Sequence, residues 1–150
     1  MTSGPRRGRG EAGSALVELT WLGVLLLIPL VYVIISIVTV QRSAYGATEA
    51  ARAAGRAYIL SPDVETARER SFEAASVAMG DQGVELEPSE LVIVCQPSPT
   101  SCLQPGSSVE VRVELQVGLP LVPSIFGESA ASISVDAAHR EPFGDYREAR

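Results

Sequence analysis

The sequence predicts an α+β protein in which a long N-terminal transmembrane helix and a second helix precede a small antiparallel sheet of about three strands. Residues 19–40 contain no Asp, Glu, Lys or Arg. Small and apolar residues then recur every three or four positions as far as about residue 80, which is typical of helices. From Val109 to Val117 apolar and polar residues alternate strictly, as in a half-buried antiparallel strand. Such helices and such a sheet pack as two layers around one core.

The uncharged segment 19–40 is long enough to cross a membrane. At about 1.5 Å per residue it forms a helix of roughly 33 Å, and the bilayer core is about 30 Å thick. Arg6, Arg7 and Arg9 precede it, and positive charge before a first span stays in the cytoplasm. We therefore expect a single-pass protein of the cytoplasmic membrane with an extracytoplasmic C-terminal domain. A cleaved secretory signal is the alternative, although its apolar region usually has only about 7–15 residues.

Composition narrows the classes of function. The chain has 150 residues and a formal net charge of −6, which suits one modest domain plus an accessory segment. All 12 basic residues are arginines, a usage that suggests a GC-rich bacterial genome. Basic residues do not dominate beyond the first ten positions, so we expect no nucleic-acid partner. The sequence has no nucleophile elbow, phosphate loop or zinc-protease motif, and we expect no enzyme, cofactor or small-molecule substrate.

The histidine and cysteine content is too small for a His/Cys metal site. His139, the single histidine, is interpreted as a surface residue at a strand end. Cys95 and Cys102 enclose six residues rich in Pro and Ser between two strand-like runs. In an oxidising compartment we expect them to form a disulfide that closes a hairpin loop. Two free thiols are the alternative.

A carboxylate stands at the edge of the apolar segment. Glu18 begins an otherwise uncharged helix, and ionisable residues within membrane spans are rare and usually functional. The simpler interpretation places Glu18 in the headgroup layer, where the helix N-terminus favours an anion. Gly13 lies five positions before it, after an Arg/Gly-rich leader.

The segment from Gly13 to Glu18 resembles a type IV prepilin processing site. It is more closely similar to the TadE-like minor pseudopilins of tight-adherence (Tad/Flp) pilus systems. These typically have a short basic leader, G-S-A-x-V-E-[FL], a long apolar run with an internal proline, and an Ala/Arg-rich helix. Their counterparts here are residues 13–19, the run that contains Pro29, and residues 47–56.

The resemblance implies that a prepilin peptidase cuts between Gly13 and Ser14 on the cytoplasmic face. It implies that Glu18 is a carboxylate used in processing or assembly. The implied partners are the lipid bilayer, the peptidase, other pilin or pseudopilin subunits and the pilus assembly platform. The rival hypothesis is an unprocessed, permanently anchored extracytoplasmic binding or scaffold protein, and an anchored enzyme is a distant third.

We expect four regions: a leader (1–13), a transmembrane and extended helix (14–60), an extracytoplasmic α+β domain (61–139) and a flexible polar tail (140–150). Small residues near 46–55 allow close packing, either on the protein's own domain or on other subunits. Ser61 is the expected N-cap of the second helix, with Pro62 at its first position and Gly80 at its end. Its expected inner face comprises Val64, Ala67, Phe72, Ala75 and Ala78.

The remaining strands and one loop are predicted from alternation. Strand pieces are expected at 84–87, 91–95 and 131–137, besides the clear strand at 109–117. Residues 118–127 form an apolar connection with two prolines and no charged residue. This connection is either a strap packed over the sheet or a surface that faces a partner or the bilayer.

Overall fold

A computed structural model describes residues 11–100, 102–120 and 132–146, with side chains from residue 15 onward. Its first element is a single long helix, α1 (Glu11–Leu60), which continues through Pro29. At about 1.5 Å per residue α1 is roughly 75 Å long. Its first half projects from the rest of the molecule, and its second half packs against the domain.

The second helix, α2 (Val64–Gly80), confirms the predicted helix and its end at Gly80. The predicted N-cap is wrong. Asp63 is the N-cap: its backbone is extended, and its carboxylate accepts a hydrogen bond from the Thr66 amide at 2.9 Å. Ser61 is buried, and its hydroxyl donates to the Ala57 carbonyl of α1 at 2.8 Å. Because that hydroxyl serves the preceding helix, the cap moves two residues along the chain.

Within the described residues three strands form an antiparallel sheet in the order β1 (Leu91–Gln96), β2 (Ser108–Gly118) and β3 (Ser132–Pro142). The α+β class, the two helices and the sheet of three strands are therefore confirmed. The strand piece predicted at 84–87 is wrong. Val84 donates its amide to Met79 at the end of α2, and Glu87 then opens a 3₁₀ turn (Pro88–Glu90). Those backbone groups close turns and are not available to a strand.

The core lies between the two helices and one face of the sheet. β2 contributes every second residue, and the predicted alternation is confirmed because these five side chains are all buried: Val109, Val111, Val113, Leu115 and Val117. α1 contributes mainly small residues: Ser43, Gly46, Ala47, Ala50, Ala51, Ala54, Gly55 and Tyr58. The predicted small residues thus pack within the protein's own domain. α2 buries Ala67, Ser71, Ala75 and Met79, a face shifted from the predicted one.

The domain extends further along the chain than predicted. β3 continues to Pro142, and Phe143 is 1% exposed in the core, so the boundary expected after residue 139 is wrong. The Phe143 amide also donates to the Ser107 carbonyl at 2.9 Å. A buried aromatic ring and a backbone hydrogen bond hold this segment. Of the expected flexible tail (140–150), residues 144–146 are described and exposed, and residues 147–150 lie outside the described residues, as does most of the apolar connection 118–127.

Candidate membrane and assembly segment

The first half of α1 exposes an unusual amount of apolar surface. Its side chains from Leu16 to Val38 include Trp21, which is 69% exposed, and none of the most apolar window is buried inside the protein. Soluble monomers rarely expose contiguous apolar patches above a few hundred Å². By length and composition this is one helix able to cross a membrane. It stands at the N-terminal end of the described chain, as the sequence predicts.

Three aliphatic hydroxyl groups in or next to this segment are satisfied within the helix itself. Thr20, Ser36 and Thr39 donate to backbone carbonyls four residues earlier, at 2.8, 2.9 and 3.0 Å. In hydrocarbon an unsatisfied polar group costs several kcal/mol, so this back-bonding makes these hydroxyls compatible with lipid. The sequence alone shows that the residues are present but not that their donors are occupied.

Glu18 lies on the exposed surface of α1, seven residues after the helix begins. Among the described residues its carboxylate has no ion pair and no hydrogen bond. Gly13 and Ser14 lie in the first described turn of α1. Positions four apart on a helix are neighbours on one face, so Ser14 and Glu18 lie on the same side of α1. The predicted cleavage position and the predicted carboxylate are thus one helical turn apart.

The predicted disulfide is present. Cys95 at the end of β1 bonds to Cys102 in the loop that leads to β2, with the two Cα atoms 5.0 Å apart. Both residues are buried, and the phenol oxygen of Tyr58 lies 3.8 Å from Sγ of Cys95. The disulfide therefore belongs to the core at the far end of α1, away from the exposed apolar half.

His139 is in the interior of β3 and not at a strand end, so its predicted placement is wrong. Its Nε2 lies 2.9 Å from a carboxylate oxygen of Glu141, and both side chains are partly buried. They stand on the inner face of the sheet over Gly55, where an added Cβ would come within 3.6 Å of the imidazole. These are ordinary van der Waals distances, so both side chains pack directly on this part of α1. Within residues 11–100, 102–120 and 132–146 no three His, Cys, Asp or Glu residues are grouped to hold a metal ion.

An ionic cluster on the outer face of the sheet was not foreseen. Glu110 of β2 pairs with Arg112 at 2.6 Å and with Arg140 of β3 at 3.3 Å, and Gln96 of β1 donates to it at 3.2 Å. The Arg112 guanidinium, supported by Arg140, lowers the pKa of Glu110, although partial desolvation opposes the change. The cluster links all three strands. It depends on the strand register that places Glu110 of β2 opposite Arg140 of β3, which the sequence alone does not give.

Comparisons with protein-family models, curated proteins and solved structures returned no match to this chain. The architecture nevertheless has a recognisable form. A long apolar N-terminal helix, whose second half packs on a small antiparallel sheet, is a pilin-like arrangement. The fold and the exposed helix define this class at the level of architecture.

Proposed function

We propose that this chain is a TadE-like pseudopilin, a membrane-anchored subunit that takes part in assembling a tight-adherence pilus or a related secretion apparatus. One observation carries the proposal. A single continuous helix has one half embedded in the core of a folded domain and the other half bare and apolar. Pilin-like subunits need this arrangement, because the same helix must first lie in lipid and then pack among other helices.

The bare half of α1 suits both environments. Lipid covers its apolar side chains before assembly, and the corresponding helices of neighbouring subunits cover them afterwards. Because α1 is continuous with the domain core, a force applied to the domain is transmitted directly to the membrane segment. No catalytic group is required for this role, and we propose none.

Glu18 and the bond between Gly13 and Ser14 have linked roles in this proposal. Cleavage of that bond by a prepilin peptidase would remove the Arg-rich leader and create a free α-ammonium at Ser14. A carboxylate buried among apolar helices is costly unless it is paired. Glu18 of one subunit would pair with the Ser14 ammonium of a neighbour, so that each group offsets the desolvation of the other. Glu18 is exposed and has no partner among the residues that the structure describes, which supports this role.

The proposed location follows from the same segment. The N-terminus lies in the cytoplasm and the domain outside, and the disulfide is consistent with an oxidising extracytoplasmic compartment. The proposed partners are the bilayer, the peptidase, other pilin-type subunits and the assembly platform. After processing the protein would enter a surface pilus or remain beside the machinery.

One observation favours the alternative of a permanently anchored scaffold protein. Residues 11–14, the first turn that the structure describes, already belong to α1, so the bond after Gly13 lies inside a helix. A peptidase would have to unwind that first turn before cutting. Because helix ends fray at little cost, this unwinding does not prevent cleavage, and we favour the pseudopilin over the permanently anchored scaffold.

The test is co-expression with a prepilin peptidase, followed by mass spectrometry of the intact protein. We expect the loss of residues 1–13 and a new N-terminus at Ser14. Gly13→Asp should block the cut, whereas Gly10→Asp adds the same charge in the leader and should leave cleavage intact. An uncut wild-type chain would favour the permanent scaffold.

A second measurement separates processing from assembly. Glu18→Ala should be processed yet fail to enter pili recovered from producing cells. Glu49→Ala removes an exposed carboxylate further along the same helix and should assemble normally. Equal incorporation of both variants would contradict the role given to Glu18.

A further inference from the structure

β2 runs in the opposite direction to α1. A Cβ placed on Gly55, near the far end of α1, would lie 3.9 Å from Val111, near the start of β2. Thr39, at the other end of the packed half, lines the same cleft as Val117 and Gly118, the last residues of β2. The strand therefore brings the chain back to the end of the domain that adjoins the bare half of α1.

The position of this end relative to a membrane follows from helix geometry. If α1 enters the hydrocarbon at Leu19, a core of about 30 Å ends near Val38 at about 1.5 Å per residue. Thr39 then lies at the outer boundary of the hydrocarbon. The cleft that Thr39 lines with Gly118, about 500 Å³ in volume, lies at the level of the lipid headgroups.

The end of the sheet at this level carries three apolar residues that are partly or largely exposed. Ile133 is paired with Val117 across β2 and β3, points to the inner face and is 41% exposed. Leu119 and Pro120 follow β2 directly and are partly exposed. The sequence that continues to Gly127 contains no charged residue. We call Leu119, Pro120 and Ile133 the sheet tip.

We propose that the sheet tip lies in the interfacial layer of the outer leaflet, as a second contact between this protein and the bilayer besides α1. The proposal rests on the membrane span of the proposed function. Amphipathic protein surfaces bind membranes in proportion to the apolar area they insert. Glu85 and Glu90 line the adjoining cleft, so attraction to anionic headgroups does not contribute. The contact is apolar and needs no anionic lipid.

The contact has a mechanical consequence for assembly. With α1 alone in the bilayer, the whole molecule is free to rotate about the helix axis and to tilt relative to the membrane, because the domain is fixed to α1. With the sheet tip also inserted, the domain is held against the membrane with one side of the sheet down. The two contacts, α1 and the sheet tip, would hold the unassembled subunit in one orientation. Extraction of the subunit from the membrane must then release both.

Tryptophan fluorescence of the full-length protein in phosphatidylcholine vesicles tests the proposal. The chain contains one tryptophan, Trp21, which reports on the span itself. In a Trp21→Phe background, Ile133→Trp and, separately, Leu119→Trp report on the sheet tip. Leu60→Trp is the matched control, since Leu60 is exposed at the far end of α1, about 30 Å beyond Thr39. Lipids brominated near the headgroup end of the acyl chain serve as the quencher.

We expect the two sheet-tip tryptophans to be quenched at least twofold more strongly than the tryptophan at position 60, equally with and without phosphatidylglycerol. Equal, weak quenching at all three positions, while Trp21 of the wild type is quenched, would overturn the sheet-tip contact and leave the span intact. Absence of quenching of Trp21 by the brominated lipids would overturn both the membrane span and the sheet-tip contact. Blue-shifted but unquenched emission at the sheet tip would show that protein covers it, from this chain or a second copy, which also overturns the contact. The two sheet-tip positions serve as independent readings should one substitution disturb the fold.

Discussion

The phenol oxygen of Tyr58 lies 3.8 Å from the Sγ atom of Cys95, so the last turns of the long helix rest on the disulfide at the end of β1. Tyr58 is completely buried and is among the largest buried side chains described. It is the one bulky residue among the fully buried positions of α1. The contact therefore anchors the far end of the helix to the sheet.

Tyr58→Ala should destabilise the domain strongly. Removing a buried aromatic ring typically costs about 3–5 kcal/mol, because it leaves a cavity as well as losing apolar burial. Tyr58→Phe keeps the ring and should cost about 1 kcal/mol or less. Denaturant unfolding of the full-length protein in detergent measures both. Tyr45→Ala, on the same helix at 71% exposure, is the control, and a loss as large as that of Tyr58→Ala would contradict this account.

Removing the disulfide should lower the free energy of unfolding by about 2–3 kcal/mol, because the short loop gains freedom in the unfolded chain. The paired substitution Cys95→Ala with Cys102→Ala tests this without leaving a buried polar atom. Reductant should destabilise the wild type and leave this variant unchanged. Alkylation followed by mass spectrometry gives an independent reading: we expect no label before reduction and two labels after it. Labelling of unreduced, folded protein would contradict the bond.

The crossing of α1 and α2 depends on Gly46. A Cβ at this position would lie 3.1 Å from Sδ of Met79 and 3.2 Å from Cγ of Gln82. Gly46→Leu must push α2 away and should cost at least about 1–3 kcal/mol, as overpacked cores do. Ala44→Leu adds a large residue two positions earlier on the exposed side and should change stability by about 0.5 kcal/mol or less. Thermal unfolding of both variants checks the difference, and equal melting temperatures would exclude a close crossing.

The N-cap of α2 should make stability depend on pH in acid. The amide and hydroxyl of Thr66 donate to the Asp63 carboxylate and hold its pKa below the ordinary value. A lowered folded pKa stabilises the protein fully above the unfolded value of about 3.9, and this contribution is lost as pH falls through the folded pKa. The stability difference between the wild type and Asp63→Ala should therefore shrink from pH 6 to pH 2.

Asp63→Asn separates capping from charge. The amide oxygen of the introduced Asn still accepts from the Thr66 N–H but does not titrate. The melting temperature of Asp63→Asn should therefore exceed that of Asp63→Ala at every pH. Melting temperatures across the pH series provide the measurement. A constant gap between the wild type and Asp63→Ala down to pH 2 would show that ionisation of Asp63 makes no contribution.

Several features could be predicted from the sequence because they depend on local patterns. The helix through the uncharged run, the strand with five alternating apolar residues and the closely spaced cysteines are each encoded within a short stretch of chain. Errors occurred where two segments compete for the same groups. Ser61 has the right chemistry for an N-cap, but its hydroxyl is already bonded to α1. Residues 84–87 alternate like a strand, but turns use their backbone groups.

The candidate site divides in the same way. The positions of Gly13, Ser14 and Glu18 relative to the apolar run are properties of sequence, and the structure adds only that they share the first turns of α1. The outer ionic cluster at Glu110, the place of His139 over Gly55 and the burial of Phe143 could not be read from the chain. Each depends on which residues of distant segments face one another across the sheet or between sheet and helix.

By itself the sequence determined that this protein has an uncharged helix long enough to span a membrane, followed by an α+β domain. Those properties follow from hydropathy and periodicity, which act along a single segment. Only the tertiary structure decided that half of this helix lies in the domain core, and that β2 runs back along it toward the bare half. The direction of β2 and its register depend on the packing of small residues of α1 against the valines of β2. The sequence of either segment alone does not determine such packing between distant segments.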